Sequence, residues 1–315
     1  MGAGAAQPYS LAWWRAQNFP PDVPVLGNIL TTTSRAMLIG PTGLGKTTLG
    51  MAMTWAMAAG KPFLHWKGSG QPRRVLYIDS EMPPTLMAAR AEDATRRLGE
   101  EPPGVLVLPK MLANFPPLNT RAGQGYMDAL IDKLQAEFVV FDNVRYLLVG
   151  DISKPEPWEG VNAWVLGLTS RRIGQLWLHH TGWNTAHGYG DSSREWNFDT
   201  VMMMKRPEKF ELGTMRFGLE FTKNRTATPE TAHEYRPVEI TLRDDRWGSN
   251  VPCKIPQSHT AILTALEGEE EGLGRTALEK KSGLKHSTFE KAMGVLHLKG
   301  RVMQSEDGRW RVTPL

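Results

Sequence analysis

Short apolar runs and longer helical runs alternate along the first two thirds of the chain. The helical runs are amphipathic or alanine-rich, as in TTLGMAMTWAMAAG and PTLMAARAEDATRRLG. Apolar strands separated by helices predict a parallel sheet with helices on both faces, because a strand that is buried on two sides has no polar face. The candidate strands are AMLIG (36–40), RVLYID (74–79), GVLVLP (104–109), FVVFDN (138–143) and GQLWLHH (174–180).

Two later apolar runs, TVMMMKR (200–206) and RFGLEFTKNR (216–225), follow each other without a helix between them. This spacing predicts antiparallel strands at one edge of the sheet. The chain beyond them changes composition to DDRWGSNVPCKIPQS, which is typical of a linker. We therefore predict a lead-in segment (1–25), an α/β domain (26–245), a linker (246–257) and a small C-terminal domain (258–315).

The C-terminal residues predict a compact unit with a pattern of its own. Three helical stretches, near 259–267, 275–282 and 286–298, precede two short apolar runs around the turn SEDG. Three helices followed by a hairpin are the layout of a winged helix-turn-helix domain. The predicted fold class is thus α/β with a mostly parallel sheet, plus a small winged-helix domain.

The composition of the chain argues against several classes of protein. Of the 315 residues, 41% are hydrophobic and 22% are charged, which is typical of a globular chain, and no apolar stretch is long enough for a membrane span. Cys253 is the only cysteine, so the chain has no internal disulfide and no cysteine-rich zinc site. The N-terminus lacks the pattern of a secretory signal. A cytoplasmic location is the expectation.

The segment GPTGLGKTT (40–48) carries the strongest chemical signal. It matches the phosphate-loop pattern G-x-x-x-x-G-K-[ST], and it stands between a predicted strand and a predicted helix. Backbone N–H groups and the helix N-terminus can then surround a β-phosphate. Lys46 would reach the β- and γ-phosphates, and Thr47 would bind Mg²⁺. The predicted ATP-binding residues are Gly40, Pro41, Thr42, Gly43, Leu44, Gly45, Lys46, Thr47 and Thr48.

Two further strand ends carry acidic residues. Asp142 ends the apolar run FVVFD, which is the position of a Mg²⁺-holding aspartate. Asn143 follows it, where many P-loop ATPases have a catalytic glutamate. Asp79 and Glu81 end the second predicted strand, and Glu81 is the predicted base that orients or deprotonates the attacking water.

Six motifs together resemble the RecA/DnaB-like family, and within it the RepA-type helicases and AAA-family ATPases of plasmids and phages. In chain order they are GPTGLGKTT, YIDSEM, FVVFDNVR, LWLHHTGW, HGYGDSSREWNFDTVM and FTKNR. The likeness covers roughly residues 25–245. It implies a RecA-like fold, ATP and Mg²⁺ as cofactors, and single-stranded DNA as a partner.

The resemblance also assigns roles to single residues. It implies that His180 senses the γ-phosphate, supported by His179. It implies that Lys223 and Arg225 project into the ATP site of a neighbouring subunit, so that the enzyme is an oligomer, expected to be a hexameric ring. The loop 182–195 would touch single-stranded DNA, and a surface loop without a partner is the alternative. The predicted contacts in this loop are Trp183, His187, Tyr189 and Arg194.

The end of the chain is basic. Residues 272–315 hold nine basic and four acidic residues, a net charge of +5. Ser287 is the candidate N-cap of the predicted recognition helix, and Arg309 and Arg311 share one face of the predicted wing. The predicted DNA contacts of this domain are Lys285, His286, Ser287, Arg309 and Arg311. Contact with a protein instead of duplex DNA stays open.

These inferences favour a ring-forming replicative helicase of a plasmid or phage, which hydrolyses ATP to move on single-stranded DNA. Two alternatives keep the same fold. One is a recombinase or strand-annealing ATPase that forms filaments. The other is a DNA-binding replication regulator or loader, in which ATP acts only as a switch.

Overall fold

The computed structural model describes residues 9–152, 154–180, 195, 197–207, 214–250, 257–266, 268–269, 271–298, 302–305 and 307–312. The chain divides into two compact units, Met1–Val251 and Pro252–Leu315. Each unit has its own hydrophobic core.

The strands of the first unit form one large sheet and one small pair. In chain order they are β1 (Pro24–Leu26), β2 (Leu30–Thr31), β3 (Arg35–Gly40), β4 (Val75–Asp79), β5 (Val105–Pro109), β6 (Phe138–Asp142), β7 (Gly174–His180), β8 (Thr200–Lys205), β9 (Met215–Asn224), β10 (Val238–Arg243) and β11 (Arg246–Asn250). Within the described residues, β1 and β2 pair with each other, and the other nine form a sheet of order β11-β10-β9-β8-β3-β7-β6-β4-β5. The six strands from β8 to β5 in this order are parallel.

Helices cover both faces of the large sheet. In chain order the described helices of the first unit are α1 (Leu11–Ala16), α2 (Lys46–Ala59), α3 (Pro84–Leu98), α4 (Lys110–Ala113), α5 (Arg121–Leu134), α6 (Val144–Leu147) and α7 (Glu156–Ser170). Successive strand residues alternate between the faces. On β6, Val140 therefore joins the core under α2 and α3, and Phe141 joins the core under α5 and α7. This confirms the predicted α/β fold, a mainly parallel sheet consistent with a RecA-like P-loop domain.

Strand β8 belongs to both parts of the sheet. The two late strands β8 and β9 pair antiparallel, as their spacing predicts. Strand β8 also runs parallel to β3, which the spacing does not predict. The connection from β7 to β8, residues 181–199, is long enough for this, because a parallel crossover requires about a dozen residues.

Two predicted segment boundaries also differ. Residues 246–250, predicted as linker, form β11, which pairs with β10 residue by residue from Arg243↔Arg246 to Glu239↔Asn250. The hairpin is closed by Asp244 and Asp245, with φ of 49° and 59°. Two successive left-handed residues are the mark of a tight two-residue hairpin turn, which aspartate tolerates. At the other end, Pro24 and Val25, predicted as lead-in, belong to β1.

The second unit contains three helices and a strand pair. They are α8 (Gln257–Leu266), α9 (Arg275–Ser282), α10 (His286–Leu298), β12 (Val302–Gln304) and β13 (Trp310–Val312). Strands β12 and β13 are antiparallel. Ile262, Leu278, Phe289 and Trp310 are among the buried residues of its core. Assignment of this unit as a winged helix stays a prediction.

No helix in the described ranges is both long and apolar enough to cross a membrane.

Candidate nucleotide site

The predicted phosphate loop connects the end of β3 to the start of α2. Strand β3 ends at Gly40, and α2 begins at Lys46. Gly43 and Gly45 have φ of 78° and 95°, a region that glycine enters without strain. A Cβ at Gly45 would also lie 2.5 Å from the sulfur of Met215. The loop thus turns sharply onto a helix N-terminus, where free N–H groups can receive an anion.

Lys46 is folded back along this loop. Its Nζ donates to the carbonyl oxygens of Gly40 and Pro41 at 2.7 and 2.8 Å, and the residue is only 5% exposed. Burial lowers the pKa of Lys46 to about 8, although the negative charges of Asp142 and Glu81 act against this. The ammonium is therefore held against the backbone of the loop by two carbonyl oxygens, which phosphate oxygens can replace.

Asp142 lies beneath the loop at the end of β6. It is 4% exposed, and it accepts a hydrogen bond from the Tyr77 hydroxyl at 2.5 Å on Oδ2. Burial raises the pKa of Asp142, against the stabilising hydrogen bonds from Tyr77 and Thr47. Thr47 and Asp142 are thus neighbours with oxygen donors, the ligand type that Mg²⁺ prefers. The two residues fit the predicted metal position.

The acidic residues after β4 meet those after β6. Asp79 lies opposite Asp142 in the parallel register of the two strands. Glu81 is exposed, and its carboxylate accepts a hydrogen bond from the Asn143 side chain. The Asn143 backbone is fixed in turn by Ser80, whose Oγ accepts from its N–H at 2.9 Å. The residue that follows Asp142 therefore holds the predicted base at the same edge of the sheet.

The two histidines at the end of β7 point in opposite directions. His180 pairs with Gly40 in the sheet, and its Nδ1 lies 3.3 Å from the hydroxyl of Thr42 in the phosphate loop. Burial, with the positive charges of Lys46 and Arg145, lowers the pKa of His180 to about 4, so the ring is neutral near pH 7.

His179 lies on the other face of the sheet. It is 1% exposed and packs edge-to-face against Trp158, with ring centroids 6.3 Å apart. Of the predicted pair, the structure brings only His180 to the phosphate loop. His179 can support it through the sheet, not through contact with a phosphate.

The predicted cation pair lies at the other end of the strands. Lys223 donates from Nζ to the carbonyl of Glu195 at 2.8 Å, and Arg225 lies 3.7 Å from the carboxylate of Asp199. Asp199 also accepts two hydrogen bonds from Arg35 at 2.9 and 2.7 Å. Arg35 begins β3, whereas the phosphate loop follows the last residue of β3.

The register of the sheet gives the distance between this cation pair and the phosphate loop of the same chain. Asn224 pairs with Thr200, and Thr200 pairs with Ala36, four residues before Gly40. At about 3.3 Å per residue and about 4.8 Å per strand, the Cα atoms of Asn224 and Gly40 lie about 16 Å apart. An arginine side chain cannot span that distance. Lys223 and Arg225 therefore do not serve the phosphate loop of their own chain.

The predicted DNA contacts fall into two groups. Trp183, His187, Tyr189 and Arg194 lie outside the described residues. In the second unit, Lys285 and Ser287 are exposed, and His286 Nδ1 lies 3.0 Å from Glu279. Helix α10 begins at His286, and the N–H groups of Thr288 and Phe289 both donate to the Lys285 carbonyl. Ser287 is thus in the first turn and is not the N-cap that we predicted.

The two arginines of the predicted wing have acidic neighbours. Arg309 lies 3.3 Å from Glu271, and Arg311 donates to the Glu271 carbonyl at 3.0 Å. Asp307 lies 3.8 and 3.9 Å from the two guanidinium groups. DNA phosphates would have to compete with these acids, which lowers the contribution that either arginine can make.

Sequence reasoning missed two residues of the site. Tyr77 supports Asp142, and Arg90 of α3 donates to the hydroxyl of Thr48 at 2.7 Å. A hydroxyl inside an otherwise apolar strand was the available signal for Tyr77. The sequence contains no comparable signal for Arg90, because the role of Arg90 depends on how α3 packs beside α2.

Replacing Tyr77 by phenylalanine removes the hydroxyl without changing the shape of the side chain. The buried Asp142 then loses a donor, so we expect a loss of about 1.5–3 kcal/mol in the free energy of unfolding. Urea denaturation measures this loss. Tyr126→Phe is the control, because that ring is 39% exposed. Equal stability of the two variants would contradict the importance of the Tyr77 bond.

Asp79 makes stability depend on pH. Burial raises its pKa from the ordinary 3.8 to about 6. The ionised side chain therefore destabilises the folded state above pH 6, and this effect disappears below about pH 4. We expect Asp79→Asn to gain about 1–2 kcal/mol of stability at pH 8 and almost none at pH 4. Denaturation at both pH values, with Asp22→Asn as the control, tests this; a gain independent of pH would contradict it.

The strand–loop–helix phosphate cradle, the buried Asp142 and the parallel sheet define a P-loop nucleotide-binding domain. The chain belongs to the AAA domain family, whose pattern matches residues 6–186, more than half of its length. Comparison with curated proteins gives no match. Family membership supports nucleotide binding and ATPase activity in general.

Proposed function

We propose that this ATPase is a motor that hydrolyses ATP with Mg²⁺ and moves on single-stranded DNA, as a ring-forming replicative helicase of a plasmid or phage. One observation supports this most directly. His180 contacts Thr42 of the phosphate loop, and the chain continues from it into residues 182–195, the predicted DNA loop. A side chain beside the γ-phosphate position can thus transmit the state of the nucleotide to DNA.

Each part of the site has a chemical role in this proposal. Lys46 leaves its carbonyl partners for the β- and γ-phosphates, and Thr47 and Asp142 hold the metal. Mg²⁺ supplies the positive charge that neutralises the phosphates during transfer. Glu81, positioned by Asn143, orients the attacking water or accepts its proton.

The site also needs a neighbour. Charge that develops on the transferring phosphoryl group is stabilised by a cation, and Lys223 and Arg225 are too far from their own loop to provide one. In the proposed assembly they reach the loop of the next subunit. Such a contact joins two different surfaces, and repetition of it gives a ring or a helical filament.

The second unit is proposed to bind duplex DNA as a winged helix. The exposed Lys285 at the start of α10 and the net charge of residues 272–315 support this. We expect the contact at α10 more than at the predicted wing, because Arg309 and Arg311 have acidic partners.

ATP hydrolysis with and without single-stranded DNA tests the proposal, at a protein concentration high enough for assembly. We expect strong stimulation by the single strands, with Lys46→Ala inactive in both conditions. Electron microscopy with ATP and DNA then separates rings from filaments. A slow rate that is indifferent to single strands, together with tight binding of a duplex, would overturn the motor and favour an ATP-switched regulator.

A further inference from the structure

A cavity of about 440 Å³ lies in the first unit between α2 and α3. One wall is the face of α2 from Thr48 to Trp55, and the facing wall is the side of α3 from Arg90 to Leu98. Residues 61–64 and the turn between β10 and β11 complete it. Its volume is that of a small-molecule site. Of its lining residues, only Thr48 has a role in the nucleotide site predicted above.

Three aromatic side chains contribute to its lining: Trp55, Phe63 and Trp247. Phe63 meets Trp247 edge-to-face, with ring centroids 5.4 Å apart. Trp55 and Phe63 are 2% and 7% exposed, so both rings are held firmly by the core. This part of the cavity therefore suits a planar apolar group, which can pack against aromatic rings.

The cavity is also positively charged. Four cations and one acid line it; the cations are Lys61, Arg90, Arg97 and Arg246, and the acid is Asp245. Two cations are engaged, since Arg97 binds Asp245 at 3.0 Å and Lys61 binds Glu100 at 2.8 Å. Among the described residues, Arg90 and Arg246 form no ion pair with a carboxylate. These two guanidinium groups can receive an anion.

The cavity touches the phosphate loop through one hydrogen bond. Arg90 donates to Thr48, which is both the last residue of the loop motif and part of the cavity wall. An anion that binds Arg90 competes with this bond. Because coupling between two binding sites is reciprocal, nucleotide on the loop then changes the affinity of the cavity by the same factor.

We propose that this cavity is a second ligand site, separate from the phosphate loop, for a small aromatic anion, and that Arg90 couples it to the nucleotide. The aromatic body of the ligand packs against Trp55, Phe63 and Trp247. Its anionic group binds Arg90 and Arg246. The coupling depends on the proposed nucleotide site, whereas the binding of the anion does not.

Titration with 8-anilinonaphthalene-1-sulfonate, an aromatic anion that becomes fluorescent on binding, tests the site in the 315-residue chain. We expect Arg246→Glu to raise the dissociation constant of the dye about fivefold or more, which corresponds to about 1 kcal/mol. Arg236→Glu, a charge reversal at an exposed arginine that does not line the cavity, serves as the matched control. Equal affinity in the two variants would overturn the site.

A second titration separates the cavity from the nucleotide site. With increasing MgADP, the dissociation constant of the dye is expected to change to a limit and stop, and Arg90→Met is expected to remove the change. If the dissociation constant of the dye kept rising with the MgADP concentration, the dye and MgADP would compete for the nucleotide site itself. That result would overturn the proposal. Lys46→Ala, without nucleotide, is expected to bind the dye as the wild type does. A failure of nucleotide binding therefore remains distinguishable from a failure of the cavity.

Discussion

Glu81→Gln is expected to bind ATP as tightly as the wild type while hydrolysing it about 100- to 1,000-fold more slowly, the loss usual for a missing general base. The substitution keeps the size of the side chain and an oxygen that can accept from Asn143. It removes the carboxylate that would take a proton from water. Binding of a fluorescent ATP analogue and release of phosphate, measured on the same preparation, separate the two effects.

The matched control is Glu92→Gln. Glu92 is an exposed residue of α3, outside the nucleotide site, and its substitution should leave both quantities unchanged. A Glu81→Gln protein that turns over normally would show that another group activates the water. A variant that fails to bind ATP would show that Glu81 supports the structure of the loop.

Arg225→Ala is expected to lower DNA-stimulated hydrolysis by at least about 100-fold, because a transferring phosphoryl group then lacks its stabilising cation. Lys46→Ala should be equally inactive for the opposite reason, since it keeps the cation and loses the phosphate site. When the two inactive proteins are mixed in equal amounts, activity should return. Random assembly joins an intact loop to an intact cation at about a quarter of the head-to-tail interfaces.

Recovery in the mixture is the result that a purely structural Arg225 cannot give. Arg236→Ala, at an exposed position outside the strands, is the control and should be active by itself. A mixture that stays inactive, although it assembles, would contradict the action of Arg225 across an interface. Its contact with Asp199 would then be its role.

Local sequence predicted most of the parallel sheet and the phosphate loop. The apolar runs marked all six parallel strands to within about a residue, because most of these strands are covered on both faces and are therefore mainly apolar. The loop motif predicted the position of the candidate nucleotide site, because its glycines, its lysine and the start of the following helix form one continuous segment. Asp142 and Glu81 followed from strand ends that meet at one edge of such a sheet.

Other parts depend on residues far apart in the chain. The sequence predicts a linker where β11 lies, because RWGSN is polar and forms a strand only through its pairing with β10. The hydrogen bonds of Tyr77 and Arg90 join elements whose relative position no local pattern contains. The opposite directions of His179 and His180 follow from strand alternation, but the face that meets the loop depends on the packing of β7 beside β3.

The direction of the strands determines how many ATP sites of an assembly can be completed by a neighbouring subunit. Each chain carries its phosphate loop at one end of the strands and its Lys223–Arg225 pair at the other. In an open row of subunits linked through these ends, the phosphate loop of one terminal subunit always lacks the cation pair of a neighbour. The mean ATPase activity per chain therefore increases with the length of the row. If the row closes into a ring, the last loop also receives a cation pair, and all ATP sites become equivalent. Dilution should therefore lower the specific activity gradually for open rows, but in a single step when a closed assembly dissociates.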